Sequence, residues 1–228
     1  MFTGIVQGVA EVLEIIRLEG ACQIRLKLPD GVGEGLVPGA SVSVDGVCLT
    51  CVTCEGSILV VDIMHETLRV SSLGSLSNGD FVNVERSAKD GAEIGGHPTS
   101  GHVDCTVEVV RIETPHNNFV LTVRYPAQVA RYIFEKGYVA LNGASLTVCN
   151  HNKAERTFDV WLIPETLRLT TFSRKVVGSS INLEIERATQ VAVDTMRDFL
   201  QERLGPQLEA FEALMLSAQA KPRLAGEG

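Results

Sequence analysis

No stretch of this sequence approaches the roughly 20 consecutive apolar residues that a membrane-crossing helix needs. The opening Met1-Phe2-Thr3-Gly4 has no basic segment leading into an apolar one. These absences predict a protein with no membrane span and no secretion signal, working in the cytoplasm. A surplus of positive charge is also lacking. The 20 Lys and Arg stand against 28 Asp and Glu, a net charge of −8, which excludes nonspecific nucleic-acid binding because that depends on clustered cations. There is no Gly-x-x-x-x-Gly-Lys-[Ser/Thr] loop to cradle a nucleotide phosphate. Cys48-x2-Cys51-x2-Cys54 lacks the fourth cysteine of an iron–sulfur run, and on a strand neighbours three apart point to opposite faces, so no metal site is expected. The six cysteines do not form a disulfide framework, since a chain of 228 residues, 45% of them hydrophobic, can bury a core without staples.

What the sequence does contain is a repeat. Asp45-Gly46-Val47-Cys48-Leu49-Thr50 returns 97 residues later as Asn142-Gly143-Ala144-Ser145-Leu146-Thr147. Gly4-Ile5-Val6-Gln7 answers Gly101-His102-Val103-Asp104 at the same offset. After a two-residue slip, His65-Glu66-Thr67-Leu68-Arg69 matches Pro164-Glu165-Thr166-Leu167-Arg168, and Val82-Asn83-Val84-Glu85 matches Ile181-Asn182-Leu183-Glu184. Matched blocks in one order imply two homologous domains, 1–97 and 98–187, and a tail, 188–228.

Each half reads as β. Runs such as Ser41-Val42-Ser43-Val44, Ile58 to Ile63 and Phe119 to Val123 are separated by Gly, Asp, Asn and Pro turn signals. Asp45-Gly46 and Asn142-Gly143 predict tight hairpins, because both dipeptides tolerate positive φ. About six short strands in each half are best closed into a barrel, which removes exposed edges. A short helix is expected over 127–136, stopped by Gly137. In the tail, Val193, Met196, Phe199, Leu200 and Leu204 fall at helical spacing, Gly205-Pro206 should break that helix, and Leu208 to Leu216 could form another. The apolar stripe must be covered, by the protein's own barrels or by another subunit.

Two features could carry chemistry. The repeat places the Cys48 thiol and the Ser145 hydroxyl in matching frames, either as small β residues or as the group in each barrel that touches a ligand. Gly95-Gly96-His97 and Ser100-Gly101-His102 set two histidines in a glycine-rich junction, where imidazoles are either surface groups or bases acting near neutral pH.

The segments Met1 to Val6, Gly46-Val47-Cys48-Leu49-Thr50, Gly95-Gly96-His97, Ser100 to Asp104, Gly143-Ala144-Ser145-Leu146-Thr147 and Ile163-Pro164-Glu165-Thr166-Leu167 together resemble the riboflavin synthase family, in order, from residue 1 to about 200. The resemblance implies an all-β fold of two tandem six-stranded Greek-key barrels, each binding one lumazine, with a C-terminal α-helix that assembles a homotrimer. It implies dismutation of two molecules of 6,7-dimethyl-8-ribityllumazine to riboflavin and 5-amino-6-ribitylaminouracil, in a site shared between neighbouring subunits, with no cofactor or metal. Some relatives associate with lumazine synthase, and others on the same fold are noncatalytic lumazine- or flavin-binding antenna proteins. Those typically lose the N-terminal cysteine, which is present here as Cys48.

By motif position, the resemblance places Cys48, Ser41 and His102 at the reacting centre with Phe2 over the ring, and Ser145 and Asn142 at the matching point of the second barrel. Gly4, Ile5, Val6, Leu49, Thr50, Asp62, Ile63, Met64, His65, Glu66, Thr67, Gly101 and Val103 are implied as substrate contacts. So are Lys136, Leu146, Thr147, Ile163, Pro164, Glu165 and Thr166. The sequence departs from the family pattern where Asp45 and Asn142 exchange the usual Asn-Gly and Asp-Gly, and where Glu186 replaces an aspartate. Asn142 can hydrogen-bond and hold its turn but cannot titrate.

Overall fold

Side chains alternate between buried and exposed along the Val-, Ile- and Thr-rich runs, as half-buried strands require. In the computed structural model, which describes residues 1–219, the first such set is β1 (Gly8–Leu18), β2 (Ala21–Lys27), β3 (Ser41–Val44), β4 (Val47–Glu55), β5 (Ile58–Met64) and β6 (Phe81–Arg86). They close into a barrel in the order β1-β2-β5-β4-β3-β6, with β6 pairing back onto β1. Ala10, Val12, Ile24, Leu26, Val42, Leu49, Leu59, Val61, Val82 and Val84 fill its interior.

The second half repeats this path with one difference. Strands β7 (Cys105–Glu113), β8 (Phe119–Arg124), β9 (Tyr138–Leu141), β10 (Ala144–Thr147), β11 (Cys149–Asn152), β12 (Thr157–Leu162) and β13 (Ser180–Ile185) form a seven-stranded sheet ordered β10-β9-β13-β7-β8-β12-β11. Six strands were expected; β10 and β11 together occupy the place of β4. Both barrels carry a bulge there, but Asn150 adopts a left-handed φ of 50°. The interruption itself falls at Val148, between β10 and β11, whereas β4 runs unbroken through the matching Cys51.

Short helices α1 (His65–Val70) and α2 (Pro164–Leu169) follow β5 and β12, each continuing into a 3-10 turn. The helix expected over 127–136 is a shorter 3-10 turn, Ala127–Tyr132, which buries Val129 and Tyr132 at the three-residue spacing of that helix type. The chain reverses at Lys136, with φ 65°, rather than at Gly137.

Residues from Ala188 onward form a separate unit, and α3 (Arg187–Gln219) runs through Pro206 without ending. The expected break at Gly205-Pro206 is therefore corrected. A proline's own φ is helical, and the preceding residue, Gly205, has no Cβ to meet the ring. Met196, Phe199, Leu200, Leu204, Leu208, Phe211 and Met215 form an exposed apolar series on α3.

Candidate active site

The hairpins predicted at Asp45-Gly46 and Asn142-Gly143 are present, with φ of 45° and 82° in the first and 43° and 80° in the second, the double-positive pattern of a type I′ turn. The two turns meet tip to tip. A Cβ on Gly46 would lie 2.7 Å from the Gly143 nitrogen, so only glycine permits this approach. Two asparagines from the repeated β6 and β13 motif lock the contact. Asn83 Nδ2 donates to the Asn142 carbonyl at 2.9 Å and Asn182 Nδ2 to the Asp45 carbonyl at 2.8 Å. Their Oδ1 atoms accept from Thr171 N and Ser72 N, at 2.8 and 2.6 Å. Each asparagine side chain thus spans from its own barrel to backbone groups of the other, about a local twofold relation.

This seam places the exchanged pair. Asp45 and Asn142 are buried within it, each accepting a backbone N–H of the neighbouring asparagine at 2.7 Å. Asn142 thus holds its turn, and its Nδ2 finds no partner among the described residues. Burial pushes the Asp45 carboxyl up to about 6 against the opposing pull of Lys175 and of the Asn83 N–H. A raised acid favours the protonated form in the folded state, so the stability this group gives below about pH 4 is lost as the pH rises through 6. Moving a carboxyl from 3.8 to about 6 is worth about 3 kcal/mol. Asp45→Asn is therefore expected to gain about 3 kcal/mol relative to the parent between pH 4 and pH 7.5. Urea unfolding at both pH values checks this, and a pH-independent difference would refute it.

The segments preceding β1 and β7 cross between the barrels. Gly4 O accepts from Ser145 N and Gly101 O from Cys48 N, both at 2.8 Å. Thus the Thr3-Gly4-Ile5-Val6 segment of the first barrel lies against the Ser145 motif of the second. Ser100-Gly101-His102-Val103, from the second, lies against the Cys48 motif of the first, where Val103 packs on the core. The contacts are close: a Cβ on Gly101 would lie 2.5 Å from the Cys48 Cβ, and one on Gly4 would lie 2.6 Å from the Ser145 Cβ.

Strand register then defines two matching outer faces. Opposite Cys48 and Thr50 on β4 stand Ser43 and Ser41 on β3. Opposite Ser145 and Thr147 on β10 stand Ala140 and Tyr138 on β9. Cys48 is half-buried outside, whereas Cys51 is buried inside, the divergence that strand alternation predicts. Among the described residues no group of three or more His, Cys, Asp or Glu converges as a metal site. His102 is exposed, and its carbonyl accepts from Arg187 at 2.7 Å. Met64 and Ile163 are the exposed apolar residues at the ends of β5 and β12, above buried Ile63 and Leu162. Glu66 and Glu165 are held by Arg69 and Arg168, each at 2.6 Å. Asp62 accepts from Gln23 at 2.8 Å, and Lys136 Nζ lies 3.8 Å from the Cys149 sulfur. Phe2 is buried, and its backbone pairs with Thr99 in both directions.

Two groups stand outside the site residues that the resemblance implied, although His97 was one of the two histidines noted in the glycine-rich junction. His97 Nδ1 lies 2.6 Å from Ser145 Oγ, and its ring stacks on Tyr138 at 5.6 Å. Burial lowers its pKa, partly opposed by the Glu186 and Glu184 carboxylates, so its contact with Ser145 is that of a neutral imidazole at neutral pH. The Gly-Gly-His run was a signal, but nothing in it named Ser145 as the partner. The buried carboxylates Glu85 and Glu184 close the repeated Asn-x-Glu block, whose sequence carries no sign of their burial.

Comparison with known proteins gives concordant matches. The lumazine binding domain model matches residues 3–87 and 100–186. Riboflavin synthase of Escherichia coli (strain K12) is 44% identical over 204 residues, covering 89% of this chain and 95% of that one. Riboflavin synthase of Chlamydia pneumoniae is 39% identical over 200 residues, covering 88% and 97%. Among solved structures, LumP complexed with riboflavin superposes with a TM-score of 0.76 at 21% identity, covering 82% of this chain and all of that one, a likeness of fold.

Proposed function

The chain belongs to the riboflavin synthase family, and from that premise we propose how its two outer faces divide the work of the reaction. The enzyme dismutates 6,7-dimethyl-8-ribityllumazine: a four-carbon unit passes from one molecule to a second, giving riboflavin and 5-amino-6-ribitylaminouracil. The reciprocal docking of Gly101 on Cys48 and of Gly4 on Ser145 carries the reading. Two copies of one substrate need two copies of one site, and the chain builds them from the same motif on barrels 1–97 and 98–187.

Chemistry requires a proton to leave the C7 methyl of one pterin, the partner to be activated for addition, and the two rings to be held face to face. Holding them can contribute about 7–11 kcal/mol in favourable cases by replacing a bimolecular encounter. Cys48, Ser41 and His102 serve the reacting centre. His102 is exposed on the segment that docks at Cys48, which suits a base that must meet a substrate proton. Phe2, which the resemblance sets over the ring, is 1% exposed and backs the docked segments beside Thr99 instead of presenting an open face to substrate. Thr50, Thr147 and Ser145, the last paired with His97, meet the pyrimidine edges. Backbone at Met64 and Ile163 does the same, while Thr67, Thr166, Glu66 and Glu165 receive ribityl hydroxyls and Lys136 stands at the second face. Asn142 acts through its turn rather than on substrate.

A complete site pairs the first barrel of one subunit with the second barrel of its neighbour in a homotrimer made through α3. Its exposed apolar series supports that role. Incubation with 6,7-dimethyl-8-ribityllumazine alone tests the function: riboflavin absorbance should appear, whereas tight binding without product marks an antenna protein. Removal of residues 188–228 should give folded monomers with turnover reduced more than tenfold, since no partner then supplies the facing pterin. Size-exclusion chromatography with light scattering checks the assembly, and a truncated trimer would refute it. Association with lumazine synthase is a further expectation of the family, open to the same chromatography with both proteins present.

A further inference from the structure

The repeated Asn-x-Glu of β6 and β13 gives each barrel a buried carboxylate whose partners lie in the segment preceding that barrel's first strand. Glu184 Oε1 accepts from Ser100 N and Ser100 Oγ, both at 2.6 Å, and its Oε2 accepts from Gly101 N at 2.9 Å. Glu85 Oε1 accepts from Thr3 N at 2.6 Å and Thr3 Oγ1 at 2.7 Å, whereas its Oε2 makes no hydrogen bond of good geometry among the described residues and meets only a looser approach of the Gly4 N–H. Both residues are nearly inaccessible, 2% exposed for Glu85 and 3% for Glu184. Charged hydrogen bonds in such surroundings are strong and directional.

The residue gripped by Glu184 is the one that reaches the other barrel. Gly101 donates its N–H to Glu184 and presents its carbonyl to Cys48 N, so a single peptide step separates a carboxylate of the second barrel from the reactive motif of the first. We propose that Glu184 is a positioning residue for the Cys48 face: it fixes the Ser100-Gly101-His102 segment so that His102 and Cys48 converge on one pterin, although Glu184 belongs to the opposite barrel. Glu85 does the corresponding work at the Ser145 face with a weaker grip. The proposal rests on the functional reading for its kinetic consequences, but its structural content does not.

Glutamine is the discriminating substitution because it keeps shape and exchanges one acceptor for a donor. In Glu184→Gln, if Oε1 keeps the Ser100 donors, the new amide faces the Gly101 N–H and that contact is lost. In Glu85→Gln the carbonyl keeps the Thr3 bonds, and the amide displaces only the loose Gly4 N–H approach at the Oε2 position. Glu184→Gln should therefore lower kcat about tenfold with KM changed less than about twofold, the weight of one charged hydrogen bond at a buried site. Glu85→Gln should lower kcat only about threefold.

The decisive readout is the rate at which iodoacetamide modifies Cys48 in the full-length protein without ligand, followed by peptide mass spectrometry. Loosening the Gly101 segment uncovers the thiol, so Glu184→Gln should raise that rate about fivefold or more and Glu85→Gln should leave it at the parental value. Should Glu184→Gln fail to fold, Ser100→Ala removes one donor to the same oxygen and should raise the Cys48 rate about twofold to threefold. Unchanged Cys48 modification in whichever variant folds, or an equal rise in Glu85→Gln, would overturn the proposal. If the parent forms no riboflavin but the Cys48 rates follow the stated pattern, the functional reading fails and the positioning role stands.

Discussion

Cys48→Ala is expected to lower kcat about 100-fold or more, with both barrels folded and riboflavin affinity nearly unchanged. Cys48 sits half-buried on the outer face of β4, so deleting its sulfur leaves no cavity in the barrel interior, which is lined at that strand by Val47, Leu49 and Cys51. The backbone contact that docks the second barrel uses the Cys48 N–H, which alanine retains. What alanine lacks is the polarisable, ionisable group at the point where one pterin must be activated. Cys48→Ser offers the hydroxyl that the second barrel carries at Ser145. Turnover above that of alanine but well below the parent would show that polarity alone serves in part and that the thiol does the rest. Initial rates of riboflavin formation, with fluorescence titration of riboflavin binding, separate the effects. A kcat within about threefold of the parent in Cys48→Ala would remove Cys48 from the reacting centre.

The repeat made much of this site legible in advance, because duplication turns a weak motif into a pair of aligned ones. Asp45-Gly46 and Asn142-Gly143 predicted their hairpins through the φ preference of the dipeptide, and the geometry realises both. What local chemistry could not supply was the crossing. Nothing in Ser100-Gly101-His102 says that its carbonyl serves Cys48 rather than its own barrel, and nothing in Gly-Gly-His names Ser145. Those pairings join residues brought together only when two barrels dock, so they depend on the seam and not on periodicity. Departures within single elements have a separate, local origin. Proline in a helix interior ordinarily costs about 3 kcal/mol or more, but at Pro206 the preceding glycine relieves the clash with a Cβ. The single strand expected at β10 and β11 is interrupted at Val148, where nothing in the residue type sets it apart from a strand residue.

Gly101→Ala should be among the most damaging changes of a single methyl group in the described residues. The added Cβ would stand 2.5 Å from the Cys48 Cβ and 2.8 Å from the Cys48 nitrogen, at a backbone φ of +80°. Neither neighbour is the far end of a flexible side chain, so the segment must retreat, and the Gly101–Cys48 hydrogen bond goes with it. The left-handed φ costs alanine about 1–2 kcal/mol and the overpacking about 1–3 kcal/mol more. Because misplacement of about 1 Å at a reacting centre can cost about 100-fold, turnover should fall by that factor or more even in molecules that remain folded. Gly20→Ala separates the two causes. Its φ is +76°, yet a Cβ there meets nothing within 4 Å, so it should lose only the conformational part of the stability and keep parental turnover. Thermal unfolding and initial rates on the two variants decide the matter. If Gly20→Ala and Gly101→Ala were alike in both, backbone strain would explain everything, and the docking of Gly101 on Cys48 would have no part in building the site.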